Sequence, residues 1–582
     1  MFEAVRRLIV VSAVVPALIT LLGGCAAQTA AAGTPGSASV ADLVILHGHV
    51  YSADGSGRFA EAVAVRDGQI LAVGSDADIA AMAGPKTEIV DAAGGAVTPG
   101  LIDTHVHFMM GAETLEQFNL SGARNGAEVS ERVEKYAAAH PDQKWLIGFG
   151  YFPDSVTRLD LDRGSGDRPA MVRAGDGHSM LANTRALALA GINRNTPDPT
   201  GGRVVRDASG EPTGHLLETA QLLLVPVMPK PTMADKRRLL AEATQVAHAA
   251  GLTTIVNVGG TDDLALFDAA RAEGQLGIRI AMALWLAKDS ATNELPADFA
   301  FTPADADRFD AIRAQFHSDD RLKLDRVKIM LDGVIESHTA AMLQPYSDDP
   351  TTGGHANYTP EELSRIITLM DAHGWNVMTH ALGDRAVRMA LDAYRDAAAA
   401  NPQQVGKLRH KIEHIESIDP ADVPRFAALG VTASIQPAHA GGMNDPEMRG
   451  ERWTNLGYER SAWGWPWKSI KQAGGRLAFG SDWPVASLNI GRAMKIAISR
   501  IPHPPVPDQK LTVAEVIDGY TRDAAWSIGV DQDRGTLTLG KRADIAIFRD
   551  DIFTKPLTGD DLAVAATLMD GKIVYRGDAS AK

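Results

Sequence analysis

One cysteine, Cys25, stands among the 582 residues. An internal disulfide is therefore impossible, and so is a metal site built from several thiolates. Positive charge is also short: 57 Lys and Arg face 72 Asp and Glu, a formal net charge of -15. That balance argues against nucleic acid or an anionic membrane surface as a partner, since both recruit basic patches. The N-terminal apolar run, Leu8 to Leu22, is shorter than the ~20 residues a spanning helix needs. What remains is an ordinary globular composition, 45% hydrophobic and 22% charged. The length allows one large domain and a smaller one.

The first 25 residues read as a leader rather than as part of the fold. Arg6 and Arg7 make a basic start, Leu8 to Leu22 an apolar stretch, and the segment ends Leu22-Gly-Gly-Cys25. That ending resembles the lipobox of bacterial lipoproteins, in which the cysteine becomes the lipidated first residue. Residues 26–40, rich in Ala, Gly, Ser and Thr, then form a flexible tether. The expected location is the periplasmic side, with a lipid anchor as the only membrane contact. Ala26 in place of an Asp favours the outer membrane.

Residues 41–99 carry short apolar runs, with Asp67-Gly68 as a hairpin signal, and 535–577 carry more, with Asp570-Gly571 as another. The two ends are expected to meet as one composite β-sandwich. His47 and His49 sit where a hairpin turn is expected and read as turn and edge residues. Gly535 to Gly540 is expected to be a strand.

Between 100 and 534 a different rhythm appears, in which an amphipathic helix ends at Gly and an apolar strand follows. It recurs at Gly251, Gly374, Gly430 and Gly474. Helix and buried strand in alternation mean parallel β/α units. So many units predict an α/β fold, a (β/α)8 TIM-like barrel, with its site at the strand C-termini. Ligand-type residues fall at those ends: His105 and His107, two apart and so on one face of a strand, then Lys328, His380, His414 and Asp482. A metal held by imidazole and carboxylate can polarise a carbonyl and acidify water. Lys328 beside a cation would be deprotonated, and a neutral amine can add carbon dioxide to become an anionic carbamate.

The chain resembles the amidohydrolase superfamily, and within it the family 3 or YtcJ-like branch. The resemblance rests on Pro99-Gly-Leu-Ile-Asp-Thr-His-Val-His107, Val327-Lys-Ile-Met-Leu-Asp-Gly333, Thr379-His-Ala-Leu-Gly-Asp-Arg385, Ile412-Glu-His-Ile-Glu416 and Gly480-Ser-Asp-Trp-Pro484, in that order. It implies His105, His107, His380, His414 and Asp482 as ligands of one or two divalent ions of the zinc type. It implies Lys328 as a carboxylated bridge and Asp482 as general base. Asp176-Gly-His-Ser179 resembles a further segment of the branch, so His178 is expected to contact substrate or polarise its carbonyl. His338, His355, His410 and His439 have no ligand spacing and read as structural.

Five of the nine tryptophans, Trp453, Trp463, Trp465, Trp467 and Trp483, lie in or near one loop of the barrel mouth. Pro466, Gly457 and Gly464 argue against regular helix there. Trp463, Trp465 and Trp483 are thus candidates for a wall around an aromatic or large apolar substituent. The expected reaction is hydrolysis of a C–N, amide-like bond of a small molecule. The rivals are ester, lactone or cyclic-amide hydrolysis, isomerisation or hydration on the same scaffold, and a solute-binding protein without catalysis. Oligomeric state is not readable.

Overall fold

The computed structural model describes residues 40–150, 155–174, 179–199, 202–286 and 301–578. Eight strands form one parallel sheet in sequence order: β1 Leu101–Val106, β2 Leu252–Gly259, β3 Arg279–Trp285, β4 Leu322–Met330, β5 Asn376–Ala381, β6 Lys411–His414, β7 Thr432–Ile435 and β8 Arg476–Phe479. Almost all of their residues are buried, as parallel strands covered by helices must be. The glycine rhythm is real: Gly251, Gly374, Gly430 and Gly474 each follow a helix with φ of +83°, +77°, +65° and +87°. Only glycine enters that left-handed stop without a Cβ penalty.

The two ends of the sheet, β1 and β8, meet through single bonds. Thr104 Oγ1 donates to the Phe479 carbonyl at 2.9 Å. The Asp482 N–H donates to the His105 carbonyl at 2.8 Å, and the His107 N–H to the Trp483 carbonyl at 2.9 Å. The carboxylate of Asp103 accepts from the His105 N–H at 3.1 Å and from the Ser481 N–H at 3.0 Å. This seam closes the (β/α)8 barrel and fixes Asp482 beside the His105–His107 pair.

A β-sandwich stands beside the barrel. One sheet joins Gln69–Gly74, Ala62–Arg66, Ala41–Leu46 and Ala83–Asp91. The other joins Lys572–Arg576, Val564–Met569, Ile545–Phe548, Ala96–Pro99, His49–Tyr51 and Phe59–Ala60, so strands from both chain ends share one ladder. Leu43, Ile45 and Val63 of the first sheet share one core with Val97, Ile547 and Leu568 of the second. Both Asp-Gly turns form as read, with φ of +51° and +75° at Asp67-Gly68 and of +51° and +70° at Asp570-Gly571. A two-residue turn with both residues in the left-handed region matches the twist of its strands.

Other expectations are corrected. His47-Gly48 is no hairpin turn: it carries the chain from one sheet of the sandwich to the other. Its histidines are structural, His47 on Asp91 at 3.1 Å and His49 on Asp551 at 2.9 Å. Gly535 to Gly540 forms no strand, although Leu537 still plugs the sandwich core. The tryptophan segment is helical, Glu451–Ala462 and then Trp467–Gln472. Gly457 absorbs the break at φ +70° that the sequence led us to read as loop. Between β1 and β2 a third sheet intervenes, ordered Gly202–Arg206, Pro212–Glu218, Ser179–Ala182, Ala170–Arg173, Leu146–Phe149 and Phe118–Asn119. Its short, mixed strands lack the helix–Gly–strand rhythm, and the sequence reading counted them within the barrel. Among the described residues no helix is long and apolar enough to cross a membrane.

Candidate metal centre

The strand-end histidines converge. The His105 and His107 ring centres are 5.5 Å apart, His105 and His414 5.1 Å, His380 and His414 4.6 Å. Asp482 Oδ1 lies 3.5 Å from His105 Nε2 and 3.3 Å from His107 Nε2. Lys328 Nζ is 3.1 Å from His105 Nε2. All six sequence-predicted metal-site residues therefore meet at the barrel mouth. His178 lies outside the described residues.

Buried partners set the orientation of the rings. Glu413 Oε2 accepts from His105 Nδ1 at 2.9 Å, which fixes the proton on Nδ1 and leaves Nε2 facing Asp482. Such a carboxylate behind an imidazole orients a metal ligand and raises its basicity. Lys411 and His105 outweigh burial and hold Glu413 down at about 2. Lys411 also donates to the Thr104 carbonyl at 2.7 Å, tying β6 to β1. His380 Nε2 donates to the Gly333 carbonyl at 3.3 Å, which leaves Nδ1 free to ligate. Asp332 accepts three backbone N–H groups, from Ala341, Leu382 and Gly383 at 2.9–3.1 Å, and so pins the turn after His380.

Burial and the nearby Lys328 push His105 down to about 4 and His380 to about 3, and burial and His380 drive His414 well below its ordinary value. These imidazoles are neutral, the form that binds metal. Burial lowers Lys328 to about 8. Asp482 goes the other way: burial would raise its carboxyl, but the surrounding histidines, His105 first, hold it well below the usual range.

The residues fit a divalent cation. Asp482 Oδ1 is buried and has no hydrogen-bond partner among the described residues, although Asp482 sits among four imidazoles, those of His105, His107, His414 and His439. His105, His107 and Asp482 can bring one ligand atom each within 4.8 Å of one another, and so can His414, His439 and Asp482. Imidazole nitrogens with one carboxylate are a donor set for a divalent transition metal.

His439, read from sequence as structural, belongs to this cluster. Its ring lies parallel to that of His414 at 6.4 Å, its Nδ1 is 3.7 Å from Glu416 Oε1, and its buried Nε2 has no hydrogen-bond partner among the described residues. It sits on a short 3-10 stretch, Pro437–Asn444, four residues past the end of β7, where no strand periodicity points to it. Glu413 was also missed as a functional residue, though it stands within the Ile412–Glu416 motif. His338 and His410 are structural as expected, the first on Asp348 and the second between Asp371 and the Val377 N–H.

The tryptophans divide. Trp465 is buried beneath the Arg452 guanidinium, 4.7 Å from its ring centre, and Trp463 is half-buried against the main core. Both lie in the link between the two helices of the segment, packed against the protein. Trp483 instead helps line a cavity of about 450 Å³, with Phe118, Asn119, Phe149 and Val485. Gly111 lets the indole in, since a Cβ there would lie 2.2 Å from it. Trp285 stacks on His107 at 5.8 Å, a further aromatic wall.

Fold and site together define a class: barrel hydrolases with a candidate His/Asp metal site at the strand ends. The chain belongs to the amidohydrolase family, whose model (Amidohydro_3, "Amidohydrolase family") matches residues 88–575. It is 32% identical to Protein LONG AFTER FAR-RED 3 of Arabidopsis thaliana over 93% of each chain. It is 29% identical to the putative amidohydrolase YtcJ of Bacillus subtilis, over 91% of this chain and 98% of that one. It is 28% identical to N-substituted formamide deformylase of Arthrobacter pascens, over 92% and 98%. Among solved structures, a metal-dependent hydrolase from Pyrococcus horikoshii shares the fold at a TM-score of 0.70 and 22% identity, over 88% of this chain and 99% of that one.

Proposed function

We propose that the chain cleaves a C–N, amide-like bond of a small molecule, with water as the second substrate. The observation that carries this reading is Asp482: a buried, ionised carboxylate with one oxygen unpaired, held among neutral imidazoles at a barrel mouth. A divalent ion there, zinc by its donor set, would supply Lewis acidity to the carbonyl and to water. His105, His107, His380, His414 and Asp482 would hold it. Asp482 takes the proton from the attacking water and delivers it to the leaving amine, which an ionised carboxylate beside cationic charge is suited to do. Lys328, already lowered by burial, adds carbon dioxide to its neutral amine with loss of one proton. The carbamate so formed is anionic and would help to hold a divalent ion that an ammonium would repel. His178 polarises the carbonyl.

The cavity beside Trp483 gives an aryl or large apolar substituent somewhere to sit. The relative named for deformylation of N-substituted formamides supports the choice of bond. A screen of N-formyl amines, N-acyl amines and acyl amino acids tests the reading, with chelated protein as control. Turnover of an aryl-bearing amide that chelation abolishes and zinc restores is expected. Turnover of esters alone would move the protein to ester hydrolysis, and a full-length protein that holds no stoichiometric metal would make it a solute binder.

We also propose that Cys25 carries a lipid anchor at the outer membrane. Several acyl chains are needed for stable anchoring. Cys25→Ser should release the protein to the soluble periplasmic fraction with turnover unchanged, and a wild-type protein found unmodified in that fraction would refute the anchor.

A further inference from the structure

One buried side chain at the mouth is unused by the chemistry above. Along β7, Ala433 and Ile435 face the helices and join the large core there. Ser434 faces the barrel axis, where its Oγ meets Thr104 Oγ1 at 3.2 Å. Side chains alternate along a strand, and Gln436 continues it with extended backbone, φ -107° and ψ 92°. Gln436 therefore turns inward one step above Ser434, at the C-terminal end of the barrel, where the metal-site residues are.

Gln436 is fully buried, and neither its Oε1 nor its Nε2 has a hydrogen-bond partner among the described residues. Buried carboxamides are almost always paired, because a donor and an acceptor withdrawn from water must be satisfied elsewhere. Its backbone carbonyl accepts the His439 N–H at 3.1 Å, so one turn presents both residues. His439 Nε2 is itself buried and unpaired, beside Asp482. Gln436 thus offers an unpaired donor and an unpaired acceptor at the barrel end that also carries Asp482. The complement of that edge is a group with its own N–H and its own acceptor.

We propose that Gln436 is a substrate-positioning residue for the scissile amide. Its Oε1 accepts the N–H on the leaving side, and its Nε2 donates to an acceptor on the same molecule. This rests on the reading of the protein as an amide hydrolase and narrows it. The substrate is an amide whose nitrogen keeps a hydrogen. Tertiary amides and esters lack that hydrogen and are selected against.

The test compares N-benzylformamide with N-benzyl-N-methylformamide, in wild type, Gln436→Leu and Gln436→Glu. Binding is measured by calorimetry on metal-stripped protein, and kcat and KM on the zinc-loaded protein. Wild type should prefer the N–H compound by about 10- to 100-fold in Kd and kcat/KM. Gln436→Leu, nearly the same shape, should bring the ratio to about 1–3, mostly through KM for the N–H compound. Gln436→Glu keeps an acceptor and should keep most of the preference. Thermal unfolding should be little changed in Gln436→Leu, while Gln436→Glu, which buries a further carboxyl group, should unfold at a lower temperature. Equal Kd for the two compounds in wild type overturns the proposal, and so does a preference that survives Gln436→Leu, which would make it one of N-methyl bulk. A preference lost in Gln436→Leu by a protein that turns over esters alone would instead sink the reaction assignment and leave Gln436 in its role.

Discussion

Asp482 and His414 sit at φ +60° and +75°, in a region that residues other than glycine rarely enter. Such strain costs about 1–3 kcal/mol and survives only where the surroundings over-determine it. At Asp482 they do: its N–H is held by the His105 carbonyl and its own carbonyl accepts the Val485 N–H, both at 2.8 Å. Asn tolerates the same backbone, so Asp482→Asn should fold normally while losing its proton-transfer group. We expect kcat to fall by about 10²–10⁴ with KM changed far less. Steady-state kinetics decides this, and a kcat near wild type would remove Asp482 from the role. Lys328→Ala should lower activity and bound metal per chain together, and full metal content by elemental analysis would end the carbamate bridge. At this scale the sequence was informative wherever a ligand stands directly at the end of an apolar run, as His105, His380 and Asp482 do. It was silent on His439 and Gln436. The position of His439 depends on how a 3-10 stretch leaves β7, which no periodicity records, while Gln436 follows the alternation of β7 but carries no ligand-type signal.

Among the elements, the helix Val513–Tyr520 shows how local chemistry fixes a boundary. Thr512 caps it, and the Glu515 carboxylate reaches back to the Thr512 N–H at 2.9 Å, a reciprocal capping box. Lys471 at 3.0 Å and Lys468 at 3.5 Å lie on the same carboxylate. Burial would raise Glu515, but the Thr512 N–H and then the two lysines hold it at about 2 against an ordinary 4.5. A depressed folded value stabilises the fold above the ordinary value, and the gain is lost as pH falls from about 4.5 toward 2. After a discount for solvent screening, Glu515→Gln should cost about 1–2 kcal/mol near neutral pH. Unfolding midpoints of the two proteins should therefore converge as pH drops below about 4, and a constant gap would refute the linkage. Thr521 breaks the helix, and Arg522–Ser527 is a separate one. The elements most legible in the chain were those with a stop signal of their own, a capping glycine or an Asp-Gly turn. The sheet between β1 and β2 was not, because its short strands pair in a mixed order that only long-range contacts decide.

Over the whole molecule, site and sandwich lie at opposite ends of the barrel strands. Arg279, the first residue of β3, is buried and faces two carboxylates of the sandwich, Asp544 at 2.6 Å and Asp570. Arg321 at 2.6 Å and Arg542 at 2.7 Å also hold Asp570, whose own N–H donates to Asp544 Oδ1 at 3.0 Å. Charges from the chain's C-terminal segment thus lock onto the N-terminal ends of barrel strands whose opposite ends carry the candidate metal-site residues. Pairs of this kind gain little over an apolar replacement, but breaking one leaves a buried charge uncompensated. Asp544→Asn leaves Arg279 with Asp570 but removes one charged hydrogen bond, and should destabilise the protein by about 1.5–3 kcal/mol, partly relieved in the double variant Arg279→Met with Asp544→Leu. Because the network is remote from Asp482, kcat and KM of the folded Asp544→Asn protein, measured well below its unfolding midpoint, should match wild type. A loss of less than about 1 kcal/mol would show that apolar packing alone joins the two parts. A loss of turnover at full stability would mean that the sandwich sets the geometry of the mouth, a coupling that the single backbone bonds closing β1 onto β8 would transmit.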